Sequence, residues 1–307
     1  MKIVFAGTPE FALKPLQAIL AAGYEVAAVL TQPDKPQGRR GILTPPPVKE
    51  EAAKRGIPVL QPEKLRADFS ALAAVKADLM VTCAYGQILT EEVLNLFPQG
   101  VWNIHASLLP AYRGAAPIPR VIIDGCDKTG VTVMKTDIGL DTGDILLKEE
   151  IPVLPTDTAG SLAEKLSALG AGLITEALGV IEKGEFTLTK QGEGFTCKKV
   201  QRTEADFSRP AKEVASLIRG LSPAPLAFAT ANGITLNFYF AEEVAWEGNE
   251  PFGTVLCDSP KEGLVIKCGE GAVKITDLQP AGSKRMAARD FLNGRKLQKG
   301  ARFERLS

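Results

Sequence analysis

Asn103 and His105 stand two residues apart in the run Val101-Trp102-Asn103-Ile104-His105. On a strand, that spacing sends both side chains to one face. His105 is the only histidine among 307 residues, and imidazole is the side chain best suited to proton handling near neutrality. An amide donor and a protonated imidazole together can hydrogen-bond an oxyanion as it forms. A second segment, Gly139-Leu140-Asp141-Thr142-Gly143-Asp144, offers a carboxylate between glycines that let the backbone approach other groups closely. Asp141 beside His105 would favour the protonated imidazole and hold its orientation. Strand ends carrying these three groups suit acyl-type transfer. The residues alone leave two plainer readings open. His105 can be a core histidine satisfied by a backbone carbonyl, and the aspartate segment can be an ordinary turn.

Such groups need elements to position them. Short apolar runs at 2–6, 25–31, 79–84, 101–105, 131–136 and 145–147 alternate with helical patterns over 11–20, 47–55 and 65–75. This alternation predicts an α/β fold with a largely parallel sheet. Ligands of such sheets bind beyond the carboxyl ends of the strands, where Asn103 and His105 fall. The first turn, Gly7-Thr8-Pro9-Glu10-Phe11, lacks the glycine spacing of a dinucleotide site. Leu162, Leu166, Leu169 and Leu173 mark one face of a helix over 161–180 that packs on the sheet. The polar stretch after residue 184 predicts a linker. Beyond it, a helix over 211–219 and strand-like runs at 226–230, 234–240, 253–257, 264–267 and 272–278 fit a small β-barrel. The expected division is a catalytic domain over 1–184, a linker over 185–203 and a second domain over 204–307.

The composition is that of a soluble globular protein, 45% hydrophobic and 23% charged, with 36 basic and 36 acidic residues. Bulk charge therefore names no partner. Between Lys284 and Ser307, however, eight basic residues face only Asp290 and Glu304, a density that suits a phosphate backbone. The five cysteines are widely spaced without CxxC pairing. With one histidine, this argues against a metal site and for reduced thiols in the cytoplasm. Neither a leader peptide nor a membrane span is expected, and a monomer is the expected state.

The run NIHASLLP, followed by RGAAPI and GLDTGD and preceded by FAGTPEFA, resembles the folate-dependent formyltransferases, and most closely their branch acting on methionyl-tRNA. The resemblance covers essentially the whole chain. It implies a Rossmann-like N-terminal domain and an OB-like β-barrel. It implies 10-formyltetrahydrofolate as donor and the α-amino group of initiator methionyl-tRNA as acceptor, with no metal. Asn103, His105 and Asp141 match the family's catalytic trio. Ser107, Leu108, Leu109 and Pro110 match its folate-contacting loop, with a cis peptide before Pro110. Tyr85, Gly86, Gln87, Ile88 and Leu89 match a second stretch along the pterin pocket. The loop over 32–47 exceeds the usual two to six residues. It resembles an insertion laid against tRNA, with Lys35, Arg39 and Arg40 as phosphate contacts. Rival readings are a sugar-nucleotide N-formyltransferase, which keeps the chemistry and changes the acceptor, and a nucleic-acid-binding protein on a degenerate enzyme scaffold. Glycinamide ribonucleotide transformylases share the core but lack the second domain.

Overall fold

The computed structural model describes residues 1–38, 41–294 and 297–304. By its internal contacts the chain forms two compact units. The first holds Met1–Gly114, Thr129–Ile151 and Ala163–Cys197; the second holds Ala115–Lys128, Pro152–Leu162 and Lys198–Ser307.

The first unit is built on a seven-stranded sheet. Its order is Ile145–Pro152, Lys128–Lys135, Val101–His105, Leu79–Cys83, Lys2–Gly7, Glu25–Leu30 and Val59–Leu60. Neighbours from Val101–His105 to Val59–Leu60 pair in parallel, while Lys128–Lys135 runs antiparallel to Val101–His105. Every residue of Leu79–Cys83 is buried, as expected of a parallel strand covered on both faces. The long helix Ala159–Lys183 lies against the sheet through Gly170, where an added Cβ would come within 3.0 Å of Ile104 Cγ2. Leu162, Leu166 and Leu173 on that helix are buried. The helix thus fixes the strand that ends in His105.

Several elements depart from the expectations. The helix predicted over 65–75 is reduced to Ser70–Ala73. Lys64–Asp68 forms a turn, and the Asp68 carboxylate accepts hydrogen bonds from Ser70 N–H and Oγ–H. The 32–47 loop contains a two-stranded hairpin, Lys35–Gln37 with Ile42–Thr44. A helix at Pro117–Ile123 is not among the expected elements; its first proline stands in the first helical turn, which proline suits.

The second unit is β-rich. Ile234–Val244 pairs antiparallel with Ala227–Ala231 on one side and Ala272–Pro280 on the other. Leu264–Lys267 and Val255–Cys257 continue the sheet. Residues 301–304 then hydrogen-bond on one side to Thr230 and Ala231 and on the other to Gly253 and Val255. The hydrogen-bonded path so runs from Val255–Cys257 back to Ala227–Ala231. Phe207, Phe238 and Phe303 meet in the middle, with ring centroids 5.5–6.3 Å apart. The helix Ala211–Gly220 buries Val214, Ala215 and Ile218 in the same core. None of the five cysteines forms a disulfide.

Candidate active site

Asn103 and His105 close the strand Val101–His105, flanked by Leu79–Cys83 and Lys128–Lys135. Thr82 on the first neighbour donates its hydroxyl to Asn103 Oδ1 at 2.8 Å. The Asp141 carboxylate only accepts, so the amide end facing its Oδ1 at 3.4 Å is Nδ2, and the oxygen is left to the Thr82 hydroxyl. His105 is 6% exposed. Its Nε2 lies 2.9 Å from the Tyr112 carbonyl oxygen. A carbonyl only accepts, so Nε2 carries the proton. Nδ1 faces Asp141 Oδ2 at 3.6 Å, and the same Oδ2 accepts the Gly114 N–H at 2.7 Å. The two plainer expectations are therefore met in part: a backbone carbonyl does satisfy the imidazole, and the aspartate segment is a turn. That turn nevertheless brings its carboxylate to both Asn103 and His105.

The consequence is chemical. With Nε2–H spent on a carbonyl, a proton arriving at this cluster has one place to go, between Nδ1 and the Asp141 carboxylate. Asn103 contributes an amide donor beside that proton site. An amide donor next to a paired imidazole and carboxylate can steady a developing oxyanion and remove a proton from an attacking amine.

Local chain geometry explains why the turn has this sequence. An added Cβ at Gly143 would fall 1.7 Å from the Lys135 carbonyl oxygen, so only glycine fits there. Asp137 collects Gly139 N–H and the Thr142 hydroxyl at 3.0 and 2.8 Å. Asp141 itself takes φ of +52° and Tyr112 φ of +58°. Such left-handed conformations cost non-glycine residues about 1–3 kcal/mol and persist only where surroundings enforce them.

Comparisons with known proteins identify the family. The model of the formyl transferase family matches residues 1–178, and that of the formyl transferase C-terminal domain matches residues 198–296. The chain belongs to the formyl transferase family. Methionyl-tRNA formyltransferase of Aromatoleum aromaticum is 48% identical, covering 99% of this chain and 97% of its own. That of Bacillus subtilis is 44% identical over 97% and 96%. Among solved structures, an N-formyltransferase from Helicobacter canadensis in complex with folinic acid and dTDP-3-aminofucose superimposes with a TM-score of 0.69 at 19% identity, covering 90% of this chain and 99% of its own. HypX from Aquifex aeolicus in complex with tetrahydrofolic acid gives a TM-score of 0.65 at 20% identity, covering 95% of this chain and 47% of its own. These two likenesses establish the fold.

In this formyl transferase the Ser107–Pro110 loop follows directly from His105. Thr132 Oγ1 donates to Ser107 O at 2.7 Å and accepts Leu109 N–H at 3.1 Å, and Ser107 Oγ–H donates to Ala111 O at 2.7 Å. The Leu109–Pro110 peptide is cis. Leu109 is buried with Met134 and Ile145, while Leu108 is only partly covered.

The Tyr85–Leu89 stretch divides by role. Gln87 is spent on scaffold, accepting Leu65 N–H and donating to Pro62 O. Tyr85 is buried, its hydroxyl has no hydrogen-bond partner among the described residues, and burial pushes its pKa up to about 12. Its carbonyl accepts from Thr8 Oγ1 and Gln32 Nε2. Gly86 takes φ of +85° beside Gln32, and Leu89 packs on the core. Ile88 is 74% exposed, as is Leu140 at 62% next to Asp141.

Lys35 is exposed at the start of the short hairpin; Arg39 and Arg40 lie outside the described residues. In the basic tail, Arg285 pairs with Asp277, which raises its pKa, and Arg289 pairs with Asp290. Arg302 lies over the Phe252 ring and donates to its carbonyl. Arg295, Lys296 and Arg305 lie outside the described residues. Among the described residues, no group of three or more His, Cys, Asp or Glu is placed to hold a metal ion. No described helix is long and apolar enough to cross a membrane.

Sequence reasoning gave no individual role to Thr82, Tyr112, Gly114 and Gln191. The first three are backbone or hydroxyl partners whose meaning appears only when strands and turns meet. Gln191 lies in the stretch predicted to be a linker, with no periodicity to signal it.

Proposed function

We propose that this formyl transferase moves the formyl group of 10-formyltetrahydrofolate to the α-amino group of initiator methionyl-tRNA, as a cytoplasmic monomer. The convergence of Asn103, His105 and Asp141 carries the reading, and relatives sharing 44–48% of the sequence bear that activity in their names. The neutral amine attacks the formyl carbon, and Asn103 hydrogen-bonds the oxygen that gains charge. The amine's proton passes to the His105–Asp141 pair, directly or through a water, and a proton returns to the folate nitrogen as the C–N bond to the donor breaks. Exposed Leu140, next to Asp141, and exposed Ile88 in the Tyr85–Leu89 stretch suit a flat heterocycle such as a pterin. Ser107–Pro110 and Tyr85–Leu89 would line that pocket.

Residues 1–184 would carry the chemistry and residues 204–307, expected to be OB-like, would bind tRNA. Lys35, Arg39 and Arg40 would contact its phosphates. A formyl-transfer assay offering methionyl-tRNA and a UDP-amino sugar side by side tests the reading. Transfer to methionyl-tRNA alone, lost in His105→Ala, is expected. Transfer to the sugar alone would overturn the acceptor, and transfer to neither would overturn the enzyme. In Arg39→Ala, use of tRNA should fall while folate affinity stays; an equal loss of both would sink the role of the loop.

A further inference from the structure

Residues 186–197 form a strap over the active-site loops. Thr189 exchanges backbone hydrogen bonds with Ile145 at 2.8 Å. Phe195 O accepts Arg113 N–H at 3.0 Å, and its ring stands edge-on to Tyr112 at 4.7 Å. Thr196–Cys197 pairs in parallel with Arg113–Gly114. Between these anchors sits Gln191. Its Oε1 accepts both Nε and Nη2 of Arg113 at 3.0 and 2.8 Å. Its Nε2 donates to the carbonyl oxygens of Asp141 and Gly143 at 3.0 and 2.6 Å. One side chain therefore ties Arg113, which stands between the Tyr112 carbonyl and the Gly114 amide, to two carbonyls of the turn that carries Asp141.

Asp141 is left-handed at φ +52°, a conformation that must be enforced from outside. Its carboxylate reaches His105, Asn103 and Gly114 only while the turn keeps that shape. We infer that Gln191 is a positioning residue for formyl transfer, its amide N–H groups holding the Asp141 turn so that the carboxylate stays on His105 Nδ1. Arg113 sets the amide the right way round, since guanidinium donors can face only Oε1. The inference rests on the formyl-transfer reading for its kinetic arm and on geometry alone for its spectroscopic arm.

Gln191→Glu separates positioning from stapling. It keeps the acceptor for Arg113 and turns it into an ion pair, but it loses both donors to the turn. If the residue only anchors the strap, Gln191→Glu keeps its activity. If it positions Asp141, kcat falls by about 100-fold in Gln191→Glu and Gln191→Ala alike, since misplacing a catalytic group by about 1 Å costs that much. KM for donor and tRNA should stay within about twofold. In an Asp141→Asn background, Gln191→Ala should cost nothing further, because its effect runs through Asp141.

His105 is the only histidine, so its ring nitrogens give a single set of 15N signals. Both Gln191 variants should displace the Nδ1 signal in the direction seen with Asp141→Asn. This readout needs no acceptor. If wild-type protein formylates no tRNA but the His105 signal moves as stated, the functional reading fails and the clamp stands. Wild-type kcat in Gln191→Glu, a full extra loss in the Asp141→Asn background, or an unmoved His105 signal would each overturn the inference.

Discussion

Residues 103–114 and residues 186–197 make an instructive pair. The first segment declares itself: an amide, a histidine, a serine-leucine-leucine-proline loop and an arginine-glycine step. The second is polar, glycine-containing and without periodicity. In the structure the roles interlock. The first supplies Asn103 and His105, but its Tyr112–Gly114 end is shaped by backbone pairing with Thr196–Cys197 and by the Gln191–Arg113 contact. Chemical side chains announce themselves by type, whereas the segments that hold them act through backbone and through single amides that carry no pattern.

Breaking the first segment should have the largest effect. His105→Ala removes the proton site, and kcat should fall by about 10²–10⁴-fold, measured by single-turnover formyl transfer. A smaller loss would assign the proton to another group. The second segment is tested by two of its glycines. In Gly194→Ala the new Cβ would sit 2.1 Å from the Pro110 carbonyl oxygen, while at Gly192 nothing lies within 4 Å. Gly194→Ala should lower kcat by about 10–100-fold through displacement of the strap, with Gly192→Ala close to wild type. Equal effects at the two glycines would dissolve the distinction between the segments.

Thr82→Val sharpens the comparison from the opposite side. It keeps shape but drops the donor to Asn103 Oδ1, worth about 1 kcal/mol or roughly fivefold in kcat. An unchanged rate would show that the amide needs no such support. Tyr85→Phe should matter least, although it lies in a motif-matched stretch, because the hydroxyl it deletes has no partner among the described residues. Stability should change by less than about 0.5 kcal/mol or rise slightly. The sign of its titration follows from burial. The folded-state pKa, about 12, lies above the ordinary 10.0, so this tyrosine's contribution is intact below pH 10 and is lost as pH climbs toward 12. Tyr85→Phe should remove that part of the alkaline decline in Tm.

Much of the framework was legible because periodicity and burial coincide. Val101–His105 and Leu264–Lys267 appear with the boundaries expected, since each is an apolar run closed by a change of pattern. Leu65–Val75 misled because its apolar spacing is helical while Asp68 offers its carboxylate to the backbone of Ser70 and so starts a shorter helix there. Ile145–Pro152 extends past its apolar start because exposed Lys148, Glu149 and Glu150 sit on an outer strand. Of the site, side-chain identities were readable and their partners were not. Nothing in the order of residues says that Thr82 will stand beside Asn103, or that Gln191 will reach Asp141 across fifty positions.

The return of residues 301–304 to both Ala231 and Gly253 has a further consequence. Every strand in that circuit has a neighbour on each side, so few backbone donors and acceptors are left over to recruit another molecule. A chain lacking residues 301–307 would leave Thr230–Ala231 and Gly253–Val255 each without a partner on one side, both templates for a foreign β-strand. Its expected fate is self-association, visible as concentration-dependent scattering, rather than a simple drop in melting temperature.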